Sequence, residues 1–255
     1  MDGDGFADSR YARMRWNTPL SEPHADELLS LLDLHPGHDG LGVADLGCGW
    51  GELLLKAVGR AADNGLTDGI TAGPLTGTGV DTDPPALERG RRRARELGLD
   101  RQVRFVQEDA AAWTGTADIV LCVGSAHAFG GTRPALDRLA RVVPPGGGLL
   151  FGDGCWAAEP TDAALEIFGT QVLPRAQLLG ECRAAGWRVN HLSTASQEEW
   201  DDFESSFRAG RREWVLAHAS DPRAAEVRQW LDTREREYVE GYRGVLGFAY
   251  LVLEH

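Results

Sequence analysis

The chain has 255 residues, 42% hydrophobic and 25% charged, which suits one large folded domain or two small ones and excludes a disordered or low-complexity protein. Its 39 acidic residues outnumber 26 basic ones, and the formal charge of −13 argues against a general nucleic-acid or anionic-membrane binder, since both need a basic face. No run approaches the ~18 apolar residues of a membrane span. The start, Met1-Asp2-Gly3-Asp4-Gly5, lacks the basic-then-apolar layout of a signal peptide. Cys48, Cys122, Cys155 and Cys182 form no CxxC pair and read as reduced thiols, not disulfides or zinc ligands. A cytoplasmic protein without a metal is expected. Glu254 and His255 read as the stub of an expression tag.

Apolar, β-rich runs alternate with helical patterns at a spacing suited to βαβ units. Val43–Gly47 is a short strand running into glycines, followed by a helix from Glu52 to Ala62 with Leu53, Leu54, Ala57 and Val58 on one face. Asn64 to Thr76 reads as a long loop and Thr78–Asp81 as the second strand. Pro84-Pro85 opens a helix that runs to Leu97, because proline suits a first helical turn. Val103–Val106 and Ile119–Val123 are the next strands. Pro134 to Val143 is a helix stopped by Pro144-Pro145-Gly146, and Gly148–Phe151 is the fifth strand. Further on, a helix spans Pro174–Ala185, a strand Trp187–Leu192 and a last strand Phe248–Leu253.

The expected fold class is α/β: a Rossmann-like seven-stranded sheet, mostly parallel with one antiparallel strand, helices on both faces, and helical lid elements. Residues 1–40 would form an N-terminal helical cover. Residues 41–193 and 245–255 would form the core, and 194–244 a helical insertion, all in one compact unit. The insertion holds two helical patterns parted by Ser220-Asp221-Pro222 and carries Trp200, Phe203, Phe207, Trp214, Trp230, Tyr238 and Tyr242. Those aromatics suit either packing core or ligand contact.

The chemistry is concentrated in Asp45-Leu46-Gly47-Cys48-Gly49-Trp50-Gly51. Glycines at 47, 49 and 51 let the backbone turn sharply after a strand, and the next helix presents its N-terminus there. The G-x-G-x-G spacing differs from the G-x-G-x-x-G of nicotinamide-binding folds, which disfavours a dehydrogenase. Asp81, at the end of the second strand, can accept both hydrogen bonds of a ribose diol. Asp109-Ala110, after the third, can offer a carboxylate and an N–H to an adenine edge. Either aspartate alone suits an ordinary strand-end turn. Their order beside the glycine loop strengthens the joint reading.

With these residues the chain resembles the class I S-adenosylmethionine-dependent methyltransferases. The likeness rests on VADLGCGWG, GVDTDP, VRFVQEDA, ADIVLCVGSAHAFGG and VVPPGGGLLFGD, in family order from Val43 to Asp153. More narrowly it resembles an uncharacterised bacterial branch of small-molecule methyltransferases, which shares the HAFGG-type segment, a Trp soon after the fifth strand (Trp156) and a C-terminal helical insertion. The resemblance implies S-adenosylmethionine as cofactor and S-adenosylhomocysteine as product. It implies that Asp45, Gly47, Cys48, Gly49 and Gly51 hold the methionine part, Asp81 the ribose, and Thr82, Asp109 and Ala110 the adenine. Cys122, Gly124 and Ser125 would line the sulfonium side.

Methyl transfer from a sulfonium is a direct displacement, in which alignment and exclusion of water supply much of the acceleration. An acceptor that keeps its proton at neutral pH needs a base, and His127, just after the fourth strand, is the candidate. A histidine there could equally shape the pocket. His24 and His191 lie in no orienting pattern. Trp16, His127, Phe129 and Trp156 are the expected substrate-pocket residues, and aromatic faces suit a planar or cationic acceptor. The expected partner is a small-molecule acceptor, with no nucleic acid and no membrane, for a monomer or homodimer. A nucleic-acid base methyltransferase is disfavoured because GSAHAF stands where a Pro-Pro-aromatic run would grip a flipped base. A metal-assisted enzyme lacks clustered carboxylates near the fourth strand. A protein-residue methyltransferase and a non-catalytic cofactor-binding protein remain as alternatives.

Overall fold

The computed structural model describes residues 6, 8–35, 37, 39–67 and 73–254. Eight strands form one sheet: β1 (Leu41–Leu46), β2 (Leu75–Asp81), β3 (Val103–Gln107), β4 (Ile119–Val123), β5 (Gly148–Trp156), β6 (Leu173–Pro174), β7 (Arg188–Thr194) and β8 (Leu246–Glu254). Their order is β3-β2-β1-β4-β5-β8-β7, with β6 paired to the far end of β5 at Cys155 and Trp156. β8 runs antiparallel to both β5 and β7, and the remaining pairings are parallel. The strand order reverses between β1 and β4, so the crevice of a doubly wound sheet opens at their carboxyl ends.

The helices are α1 (Glu22–Ser30), α2 (Glu52–Thr67), α3 (Pro84–Glu96), α4 (Thr132–Leu139), α5 (Asp162–Phe168), α6 (Arg175–Ala184), α7 (Gln197–Ala217) and α8 (Ala224–Arg236). Strand β5 shows how they cover the sheet. Leu150 packs into a cluster with Leu28, Leu54 and Leu87 on one face, while Leu149 and Phe151 join Leu136, Leu178 and Trp187 on the other. That alternation is the period of a strand buried on both sides. Caps fix the helix starts: Ser21 accepts from the His24 N–H, and Ser196 and Glu199 of α7 form a reciprocal capping box.

Several sequence expectations are corrected. Helix α2 runs past the expected Ala62 to Thr67, into the expected loop, and β2 begins at Leu75. Each added helical residue closes another backbone bond, which outweighs a weak local breaker. The middle of the expected loop, 68–72, lies outside the described residues, as do 1–5 of the expected cover. Helix α5, capped by Thr161, and the two-residue strand β6 were not foreseen. Strand β8 extends one residue beyond the expected Leu253: Glu254 pairs with Gly148 and accepts a hydrogen bond from Asn190 at 3.0 Å.

Candidate active site

A cleft of about 280 Å³ lies over the carboxyl ends of β1, β2, β3 and β4. Of the sequence-predicted residues, Asp45, Gly47, Cys48, Gly49, Asp81, Thr82, Asp109, Ala110, Gly124, Ser125, His127 and Trp16 line it. Four strand ends have converged on one volume. Gly51 and Cys122 stand behind the wall. The Gly51 Cα faces the Phe105 ring, where a Cβ would approach to 2.5 Å, and the fully buried Cys122 thiol lies 3.3 Å from Ser125 Oγ. Phe129 packs partly buried in the core on the α4 side, and Trp156 is buried edge-on to Phe168. Neither reaches the cleft lining; both apolar rings are drawn into the cores beside them.

The glycine turn is held by its own amides. The N–H groups of Gly47 and Cys48 both donate to Val80 O, at 2.8 and 3.0 Å, and that of Gly49 donates to Asp81 Oδ2 at 2.7 Å. These amides bind β2. Gly47 (φ +81°) lies against Ser125, whose Cβ would stand 2.2 Å from an added side chain, and Ser125 Oγ donates to Leu46 O at 2.6 Å. Gly49 (φ +54°) is different: a Cβ there meets no protein atom within 4 Å.

Asp81 accepts from Gly49 N through one oxygen and from Asp83 N, at 3.0 Å, through the other, which sets its carboxylate at the cleft edge. Asp109 is held by the N–H of Ala111 at 2.9 Å. Asp45 is 5% exposed, and burial, reinforced by the charge of Asp81, pushes its carboxyl up to about 8. A cationic group entering the cleft would relieve both effects.

Within the N-terminal segment expected to cover the site, the sequence singled out Trp16 alone as a pocket residue. Tyr11, Arg15, Asn17, Thr18 and Leu20 line the cleft with Trp16, so the segment before α1 lies across its mouth. Its path is fixed at Gly124, where a Cβ would meet Thr18 Cγ2 at 2.9 Å, and at Tyr250, whose hydroxyl donates to Pro19 O at 2.8 Å. Asp153 was also missed. It lies on β5 beneath the start of α4, accepts from Thr132 Oγ1 at 2.7 Å and from its neighbour's N–H at Gly154, and is pushed up by burial. The charge of His127 acts on it in the opposite sense. Among the described residues, no group of three His, Cys, Asp or Glu side chains could hold a metal ion, and no helix is long and apolar enough to cross a membrane.

A doubly wound sheet with a glycine turn after β1 and carboxylates at its next strand ends is a nucleoside-binding architecture. Comparison with known proteins narrows this. Residues 37–211 match the family described as "Methyltransferase domain". The uncharacterised Escherichia coli protein YjhP is 31% identical over 94% of this chain and 93% of its own length. Two crystal structures of S-adenosylmethionine-dependent methyltransferases, each in complex with S-adenosyl-L-homocysteine, superpose over nearly the whole chain. The Geobacter sulfurreducens protein has a TM-score of 0.84 at 28% identity, covering 97% of this chain and 96% of its own. The Thiobacillus denitrificans protein has a TM-score of 0.83 at 29% identity, covering 99% of each. The chain belongs to the methyltransferase-domain family.

Proposed function

We propose that this methyltransferase carries a methyl group from S-adenosylmethionine to a small-molecule acceptor. The observation that carries the reading is the convergence of Asp45, Asp81 and Asp109 on one cleft, with Asp45 buried and primed to ionise against a cation. The residues fit the group. Gly49 leaves open the space a Cβ would take, and the donor set is acidic along its length. Asp45 would hold the amino group of the methionine part, with Gly47, Cys48 and Gly49 beside it. Asp81 would accept from the ribose hydroxyls, Thr82 would lie against the adenine, and Asp109 and Ala110 would border its edge.

When bound, the sulfonium supplies a methyl group already activated for direct displacement. The chain's own residues then supply placement and dryness. Gly124 and Ser125, just after β4, would border the reacting side, and the segment carrying Trp16 would close the volume above it. His127 would take the proton of an acceptor that holds one at neutral pH. The segment before β1 and the α7–α8 insertion would act together as a cover, within which Trp16 is an acceptor contact.

The test is calorimetry with S-adenosylhomocysteine. Saturable binding at micromolar concentrations is expected, lost in Asp45→Asn. A folded wild-type protein that takes up neither this thioether nor the parent sulfonium would overturn the reading.

A further inference from the structure

Outside the cleft, the 3-10 turn Asp8–Tyr11 lies flat on α7 at Gly210, where a Cβ would stand 2.1 Å from the Ser9 carbonyl oxygen. This contact brings together the segments that carry Arg10 and Arg211, the next residue of each. Burial, and then the charge of Arg10, push the Arg211 guanidinium below its ordinary range. Arg211 stacks on Trp230 with its Cζ 4.2 Å from the ring centroid, and its Nε is enclosed without a hydrogen-bond partner. Arg10 lies over the ring of Tyr11 at 4.8 Å.

Neighbouring arginines have acids: Arg208 meets Glu235 at 2.6 Å and Arg13 meets Glu213 at 2.9 Å. Among the described residues, Arg10 and Arg211 form no ion pair, in a chain of net charge −13. Two guanidiniums held together without a carboxylate repel one another until an anion joins them. Arginine is the side chain suited to that task, since its planar fork matches carboxylate and phosphate oxygens and it stacks on aromatic rings. The location carries the functional meaning. Tyr11 lines the cleft and its ring meets Trp50 at 5.4 Å, so Arg10 stands one ring away from the cleft, and Trp230 beneath Arg211 reaches Tyr11 through Phe207.

We infer that Arg10 and Arg211 form an anion-binding site at the rim of the cleft, and that it takes the carboxylate or phosphate group of the acceptor. The inference rests on the methyl-transfer reading for the word acceptor, but the anion site has its own probes. Inorganic phosphate and succinate are titrated separately into the whole protein by calorimetry. Wild type is expected to bind one of them, and which one binds distinguishes a phosphorylated from a carboxylated acceptor. Arg211→Gln and Arg10→Gln are each expected to weaken that binding about tenfold. Arg228→Gln, exposed on α8, leaves it unchanged. Thermal melting reports the fold of every variant, and the exposed Arg10 carries the test if Arg211→Gln folds poorly. Binding of neither probe to wild type, or equal binding by wild type and Arg10→Gln, overturns the inference. Failure of S-adenosylhomocysteine to bind overturns the methyl-transfer reading instead, and phosphate or succinate binding is unaffected by that outcome.

Discussion

The guanidinium of Arg89 lies over the indole of Trp50, 4.2 Å from Cζ to ring centroid, and together they hold the segment that roofs the cleft. Trp50 Nε1 donates to Arg15 O at 2.7 Å, while Arg89 donates to Tyr11 O at 2.9 Å and to Met14 O at 2.6 Å. Three carbonyls of one irregular segment are thus satisfied by two side chains from the glycine loop and α3. A segment without its own ladder stays in place only through such bonds.

Arg89→Ala is therefore expected to release residues 11–15 while leaving the sheet intact. Affinity for S-adenosylhomocysteine falls about tenfold, one or two hydrogen bonds' worth, and amide exchange in residues 11–15 rises. Unchanged exchange there would separate Arg89 from the cover.

Asp45 predicts a pH signature with two opposite signs. Its folded carboxyl titrates near 8 against an ordinary 3.8, so the free folded state binds the proton more tightly than the unfolded chain. Stability of the free protein therefore declines as pH rises from about 4 to about 8 on account of this group. Asp45→Asn cannot ionise and should melt at least about 3 °C above wild type at pH 8, with a smaller gap at pH 5. Ligand binding runs the other way, since an ammonium partner needs the carboxylate. Wild-type affinity for S-adenosylhomocysteine should rise from pH 6 to pH 8 and disappear in Asp45→Asn. A flat affinity over that range would remove Asp45 from the amino-group contact.

Two glycines of the turn should separate folding from binding. Gly47→Ala places a Cβ 2.2 Å from that of Ser125 at φ +81°, so it costs stability as well as binding. Gly49→Ala meets only open space at φ +54°, so its folding cost is about 1–2 kcal/mol of backbone strain. Gly49 nonetheless lines the cleft, beside the volume assigned to the methionine part. Thermal melts with matched titrations should show a folded Gly49→Ala that binds S-adenosylhomocysteine at least about tenfold more weakly.

The sequence made the cleft floor legible because each carboxylate follows a β-rich run by a fixed step, and strand ends on one edge of a parallel sheet must converge. The N-terminal stretch reads as a cover, but the bonds that hold it were not legible. Tyr11 ends a single 3-10 turn, Arg15 and Pro19 belong to no periodic element, and their positions depend on Arg89, Trp50 and Tyr250, the last 231 residues from Pro19. Asp153 lies inside a strand pattern and becomes recognisable only when Thr132 reaches it. The aromatic ambiguity divides by position: Trp156 and Trp200 are core, whereas Trp16 lines the cleft. His24, passed over for want of a pattern, is oriented by Glu199 and Ser193 from the other end of the chain.

That last contact supports a final prediction. Glu199 Oε1 accepts from Ser21 N at 2.8 Å and meets His24 Nδ1 at 3.0 Å, while Oε2 accepts from Ser196 N at 2.7 Å. One carboxylate joins the starts of α1 and α7. Burial alone would raise Glu199, but its hydrogen bonds from His24, Ser196 and Ser21 prevail and hold it down to about 2, against an ordinary 4.5. A carboxylate held low contributes stability that is complete above about 4.5 and lost as pH falls through about 2. Glu199→Gln cannot ionise and keeps at most part of the bonding, so it should be less stable at pH 6 by roughly 1–3 kcal/mol. The deficit should shrink below pH 4.5 and close near pH 2. Urea unfolding of both proteins from pH 6 down to pH 3 gives the comparison. A gap of constant size throughout would assign Glu199 a packing role, and a gap that narrows with acid locates the stabilisation in its charge.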